Sequence, residues 1–283
     1  MPSTYAHRVF GRRVLGHCPQ EFAAVIGKNR QLYDIGLHGP DVLFYYRVLK
    51  NCPVNAKGYA MHARPAREFF ERAKGELAAA ADRDAALAYL FGFVCHFALD
   101  SACHGYIENK IAVSHVTHTE IESEFDRFLL EAEGKEPLSA CLTDHIFATE
   151  ENARVIAPFL GVTQKQAKKA LSSMLFYNRL LRAPHQPKRG LVRLVLRLSG
   201  NFKEMHGMMI AKKPIPACAD SNLRLAKLMR RAETDCIALL CDLFAYLKGE
   251  GELSPAFGAT FGPPANWREI PVLSPEEEKA YEP

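Results

Sequence analysis

Residues 93–104, FVCHFALDSACH, place two imidazoles and a carboxylate inside a run that is otherwise apolar. Read as a helix, His96, Asp100 and His104 fall within an arc of roughly 80°, each about 6 Å further along the axis. Burying such a face is costly unless something compensates the carboxylate and satisfies the ring nitrogens. A metal ion does both.

The segments around this run also read as helix. Residues 66–81 (AREFFERAKGELAAAA) are strong helix formers, and 84–109, 117–133, 138–157, 164–182 and 220–248 repeat apolar positions every three or four residues. Thr163 and Asp220 are expected N-caps, and Gly134, Gly161 and Gly249 expected stops. Alternating runs joined by hairpin turns are nearly absent, so the expected fold is all-α: a multi-helix domain over residues 1–250. Pro and Gly gather at 36–58, 183–190 and 251–275. The first reads as an ordered loop between helices and the second as a connector. The last belongs to a C-terminal extension, 251–283, packed on the domain or trailing over its surface as an extended tail.

The 283 residues are 48% apolar and 24% charged, the balance of a chain that can bury a substantial core. A net charge of +4 gives no nucleic-acid signal by itself. Residues 1–7 lack the apolar stretch of a secretory signal, and no run of about 18 apolar residues is evident, so a cytoplasmic protein without a membrane span is expected. The eight cysteines are scattered with no Cys-x-x-Cys pair and are expected to stay reduced. Cys95 and Cys103 read as small buried hydrophobes.

Ligand spacing goes further. His96 and Asp100 are one turn apart and can share an ion, whereas His104 lies about 12 Å along the axis from His96, too far for one compact tetrahedral site. At least two ions are the natural solution, with Asp100 placed to bridge or to serve the nearer one. His118 and Glu122 form a second i,i+4 pair on the next helix, suited to the ion at His104. Nitrogen and oxygen donors without thiolate favour zinc, although manganese and iron accept the same set. A lone buried histidine is usually a satisfied core residue; five ligand-type residues between 96 and 122 at two such spacings are harder to read that way.

His7, the loop His38-Gly39-Pro40-Asp41, His62, His96-x3-Asp100, His104 and His118-x3-Glu122 together resemble the zinc-dependent phospholipases C, whose superfamily includes the fungal single-strand-specific nucleases. The resemblance covers about residues 5–130, in order. It implies an all-α fold around a trinuclear zinc cluster. Asp41, His62, His96 and Asp100 would hold one zinc; His104, His118 and Glu122 a second; His7, with Asp100 bridging and groups of the chain terminus, a third. Asp41 would also be the general base. Secreted members begin at a tryptophan that completes the third site, whereas the only tryptophan here is Trp267 and the start would be Met1 or Pro2. The gap from Asp100 to His104 is two residues shorter than in those enzymes.

Three divalent ions would outweigh the carboxylates of Asp41, Asp100 and Glu122, leaving a cationic pocket that attracts a phosphodiester. Zinc-bound hydroxide is then the expected nucleophile, because zinc lowers the pKa of bound water from about 15.7 to about 7. The function expected is phospholipase C-like cleavage of phospholipid head groups. The rivals are a nuclease or small-metabolite phosphatase of the same chemistry, and a catalytically silent metal-bound helical module at a membrane. No aromatic cage for a choline head group is matched, since Tyr45 and Tyr46 serve equally well as core.

Other residues carry weaker signals. His38 and His115 lie close enough to substitute for a ligand; His17, His145, His185 and His206 read as ordinary. Glu120, Glu124 and Asp126 read as solvated carboxylates or as acceptors around His118. Asp144-His145 is the reverse of the His-Asp pair of another phosphohydrolase class, which disfavours that class. In 187–200, Arg189, Arg193 and Arg197 fall on one helical stripe and Leu191, Leu194, Val195 and Leu198 largely opposite, a pattern that suits peripheral contact with an anionic bilayer. The competing expectation is a core helix whose arginines face solvent.

Overall fold

In a computed structural model the apolar run around His96 becomes the central helix, α6 (Arg83–Ser114). The structure describes residues 4–198, 200 and 206–283, and among them there are helices and turns but no strand. The Asp82 side chain starts α6 by accepting from the Ala85 amide, and His115 ends it in the left-handed conformation. Between Ala85 and Asp100 every residue is buried, so the helix is apolar all round because other helices cover all its faces. By length and composition α6 could cross a membrane, against the expectation that no stretch could; 89% of its most apolar window is buried inside the protein.

Three N-terminal helices that the sequence patterns did not single out lie against it: α1 (Thr4–His17), α2 (Gln20–Lys28) and α3 (Arg30–Gly36). α3 meets α6 backbone to backbone. A Cβ on Gly36 would strike the Tyr89 carbonyl, and one on Gly92 the Tyr33 carbonyl. That contact delivers the following turn onto His96, where Gly39, at φ +44°, leaves no room for a Cβ beside the imidazole. The stretch expected as loop, 36–58, is instead a 3-10 helix, Gly39–Tyr45, followed by α4 (Pro53–Ala63), with Pro53 at its first turn.

The remaining helices are α5 (Ala66–Ala78), α7 (His118–Ala132), α8 (Glu150–Leu160), α9 (Gln164–Leu181), α10 (Gln186–Leu198), α11 (Ala219–Lys248) and the short α12 (Pro275–Ala280). Thr163 caps α9 as expected, and Gly161 and Gly249 close α8 and α11 with positive φ. Asp220 is not the cap of α11. It lies in the first turn, buried, and accepts from Lys110 and Tyr106. The helix expected over 138–157 forms only from Glu150. Thr149 caps it there, while the Asn152 amide donates to the Phe147 carbonyl and holds the preceding chain in turns.

Of the two expectations for residues 251–283, packing on the domain holds and the extended surface tail does not. Residues 251–283 carry Phe257 and Phe261 into the main core and Glu278 onto buried Arg224. All eight cysteines are free, and Cys95 and Cys103 are buried as expected.

Candidate metal centre

The polar face of α6 is met from four sides. α1 brings His7, whose Nε2 lies 3.1 Å from Asp100 Oδ1 and whose ring stacks on His96 at 4.5 Å. The 3-10 helix brings Asp41, and α4 brings His62, with 2.9 Å between His62 Nε2 and Asp41 Oδ1. His96 Nε2 is 3.2 Å from Asp100 Oδ2 and 3.9 Å from Asp41 Oδ2; His62 Nε2 is 3.7 Å from Asp100 Oδ2. One turn further along, Glu122 Oε1 of α7 stands 2.8 Å from His118 Nε2 and 3.8 Å from His104 Nε2.

Donor atoms thus gather in three groups that could each hold a metal ion: His7, His96 and Asp100; Asp41, His62 and His96; His104, His118 and Glu122. Within each group they lie within 4.8 Å of one another. All eight residues expected as ligands are among them. Asp100, of the first group, also lies 3.7 Å from His62 of the second and 3.8 Å from His104 of the third. Residues 1–3, from which the third site would draw terminal groups, lie outside the described residues.

Three of the rings are held from behind. Nδ1 of His62 lies 2.8 Å from the Gly58 carbonyl, Nδ1 of His104 2.6 Å from that of Phe261, and Nδ1 of His96 3.3 Å from that of Leu37. A carbonyl can only accept, so Nδ1 carries a proton and Nε2 is the atom left toward the carboxylates, to take a second proton or a metal ion. Metal-ligating histidines are oriented in this way.

The donor set passes a second test. Both carboxylate oxygens of Asp41, Asp100 Oδ2, Glu122 Oε2 and His96 Nε2 are buried with no hydrogen-bond partner. The short His62–Asp41 and His96–Asp100 separations are therefore close approaches without hydrogen-bond alignment. Five orphaned polar atoms within one buried cluster are expensive unless cations sit among them. A cavity of about 30 Å³, lined by His7, Asp100, Cys103, His104 and Glu122, lies among the groups.

The electrostatics agree. Burial opposes ionisation of Asp100, but His96, His104 and His7 hold its carboxyl well below the usual range. Burial likewise opposes the charge on Glu122, and His118 and His104 overcome it, bringing the pKa to about 2. Burial alone would depress His104; Asp100 and Glu122 raise it to about 9. Without metal, protons hold this cluster together, and a divalent ion would replace them.

Several weaker expectations change. His38 is fully buried with its Nε2 committed to His145 Nε2 at 2.8 Å, and burial keeps both rings neutral, His145 at about 3. His145 is therefore no ordinary histidine: with His38 it forms a pair behind His7, whose ring lies edge-on to His38. That pair is also what draws the unexpected turn at 143–146 inward. His115 is exposed at the end of α6, away from the donor groups. The three carboxylates expected near His118 have other work. Glu120 closes the capping box with Thr117, Glu124 accepts from Ile215 and Arg127, and Asp126 accepts the Tyr5 and Ala6 amides, fixing the start of the helix that carries His7. The Phe261 carbonyl was not foreseen at all, because a backbone acceptor leaves no mark on a sequence.

An all-helical protein with a buried His/Asp/Glu centre, its rings aimed by backbone carbonyls, is the class that fold and site define. The chain belongs to the zinc-dependent phospholipase C family, whose model matches residues 4–174. That makes it a protein of a zinc-dependent, phospholipase-like hydrolase family. No curated protein and no solved structure matches the chain. The matched span includes every candidate ligand from His7 to Glu122 and ends before α10, α11 and the segment that supplies Phe261.

Proposed function

We propose that the protein hydrolyses the phosphodiester of phospholipid head groups, in the manner of a phospholipase C, at the centre built around Asp100. The observation that carries this reading is the convergence of orphaned, buried carboxylate oxygens on oriented imidazoles within the family's matched span. Asp41, His62, His96 and Asp100 would hold one zinc, and His104, His118 and Glu122 a second. His7 with Asp100 would serve a third. Zinc, when bound, supplies Lewis acidity, a lowered pKa for water and positive charge opposite the phosphodiester.

The protein groups do the rest. Asp100 carries the charge shared between sites and keeps His7 and His96 in register. Gly39, by lacking a Cβ, lets the His38–Asp41 turn lie on the His96 ring, which puts Asp41 beside the centre. Asp41 then orients the attacking water and takes its proton on a carboxylate oxygen that no hydrogen bond occupies.

The test is hydrolysis of a soluble chromogenic phosphocholine diester, abolished by chelation and restored by zinc. Single-stranded DNA and a phosphomonoester serve as competing substrates. Preference for either of those, or turnover indifferent to chelation, would overturn the reading. Asp41→Asn keeps size and one oxygen but loses the charge that accepts a proton. Its rate is expected to fall by about 10²–10⁴ while most metal is retained. Normal turnover by that variant would move the base elsewhere.

A further inference from the structure

The amphipathic helix α10 faces the opposite way from a core helix. Its inward side is Arg189, Val192 and Leu196, all buried. Arg189 is held there by donating to the carbonyls of Ala183, Met209 and Ile210. The outward side is Leu191, Leu194, Val195 and Leu198, each more than half exposed, with Leu198 at 80% and Leu191 at 62%. At 100° per residue these four form one stripe, with Arg193 and Arg197 along one flank. On α9, which packs against α10, Phe176 and Leu180 are exposed as well. Of the three arginines expected on one stripe, Arg189 is buried, Arg193 half-buried and Arg197 exposed, while the four apolar residues expected opposite them face solvent. Within 187–200 only Ser199 lies outside the described residues.

Charge is segregated onto the same two helices. Between residues 164 and 198 there are nine lysines and arginines and no aspartate or glutamate, although the whole chain carries a net charge of only +4. The rest of the protein is therefore net negative. Of the nine, Arg189 is buried and Lys168 pairs with Glu150; Arg179 on α9 and Arg197 on the flank of the leucine stripe are exposed.

The inner side of α10 is also linked to the centre. Leu181 and Met208 pack against Val192 and Leu196 on the inner side of α10. The same two residues line a cavity shared with Tyr45, Thr119 and Glu122.

We propose that the α9–α10 face docks the protein on an anionic lipid bilayer, the leucine stripe entering the headgroup boundary and the flanking cations meeting lipid phosphate. The proposal rests on the phospholipid reading above and assigns the surface through which that substrate is approached. Exposed leucines favour a bilayer over a nucleic acid, which would need cations without an apolar stripe.

The zinc-loaded full chain would be co-sedimented with phosphatidylcholine vesicles containing or lacking phosphatidylglycerol. Binding is expected to be stronger with the anionic lipid and to weaken with salt. Leu191→Gln/Leu194→Gln/Leu198→Gln changes only exposed positions and should lower partition by about tenfold or more. Its turnover of the soluble chromogenic diester should be unchanged, which shows that the variant is folded. Arg179→Gln/Arg197→Gln should remove most of the preference for anionic vesicles. Equal partition of wild type and leucine variant, or none by either, would overturn the proposal. So would loss of single-stranded DNA binding in the arginine variant without any effect on vesicles. A wild-type dimer that becomes monomeric in the leucine variant, with no vesicle binding, would assign the face to a second copy of the chain instead. Failure of the hydrolase reading shows separately, as absent turnover of the soluble diester by wild type.

Discussion

α6 buries charge twice within a few turns, and it does so in opposite ways. At His96, Asp100 and His104 the carboxylate is surrounded by neutral-capable rings, and oxygens are left without hydrogen bonds. At Tyr106 and Lys110, facing α11, the account closes internally: Lys110 Nζ reaches both oxygens of Asp220 at 2.8 and 2.7 Å, and Tyr106 adds a third contact at 3.0 Å. Beside them Arg224 makes a two-pronged pair with Glu278 at 3.0 and 2.6 Å and lies over the Tyr106 and Tyr281 rings. Both clusters are buried and both include acidic residues. What separates them is whether the protein's own groups satisfy every buried carboxylate oxygen. A buried cluster whose oxygens are all paired is an element of structure; one that leaves converging oxygens unpaired is waiting on a ligand.

The sharpest way to break this distinction is to remove one carboxylate from each cluster. Asp100→Ala should lose most of the bound zinc and nearly all hydrolysis, because that residue stands between two donor groups. Asp220→Ala leaves Lys110 buried without a partner and should destabilise the fold by about 3–5 kcal/mol. Below its lowered melting temperature it should keep zinc and turnover. Elemental analysis and thermal melts on both variants decide the matter. If Asp220→Ala lost zinc at a temperature where it is folded, or Asp100→Ala kept it, the two clusters would not differ as described.

A smaller effect follows from protonation in the metal centre. In the metal-free protein His104, raised from 6.5 to about 9, stabilises the fold below pH 6.5 and stops doing so as pH rises through about 9. Glu122, lowered from 4.5 to about 2, contributes above pH 4.5 and ceases to as pH falls through about 2. The pair therefore supports the chelated protein most fully between pH 4.5 and 6.5. Zinc needs the neutral ring, so binding at that site must release the proton, and apparent affinity should climb by up to about tenfold per pH unit below 9. Zinc titrations at several pH values, alongside melts of chelated protein, would show the two trends running in opposite directions above pH 6.5. Affinity independent of pH would mean that His104 is not a ligand.

Helical period explains what could be read in advance. His96, Asp100 and His104, and the His118–Glu122 pair, share faces because residues four apart always do on a helix. The all-α class followed from the same periodicity. What escaped depends on contacts between segments distant in the chain. Nothing local announces that Gly36 will press on Gly92, or that Phe261 will turn its carbonyl to His104 from 157 residues away. The 138–149 stretch has apolar spacing compatible with helix, yet the His38–His145 contact and the Thr149 cap draw it into turns. In α10 the leucines face outward, against the core-helix expectation, and Arg189 lies buried, because three backbone carbonyls offer its guanidinium what solvent would otherwise supply. Periodicity reports that two faces differ; it does not report which one turns inward.

The finest test compares two matched caps. Thr117 and Thr163 each close a capping box, with Glu120 and Gln166 respectively, and start α7 and α9. Loss of either hydroxyl should destabilise its helix by about 1 kcal/mol. α7 differs in one respect: its first residue is His118, and Glu122 follows one turn later. If the start of α7 is what aims those two ligands, Thr117→Ala should also weaken zinc binding, by at most about fivefold, the equivalent of that same lost cap energy. Thr163→Ala should leave zinc affinity untouched while lowering the melting temperature by a similar amount. Competition of each variant with a chromogenic zinc chelator reads the difference directly. Equal affinities would mean that the core packing of Ile121 and Phe125, both buried on α7, holds the ligands in place and the cap serves stability alone.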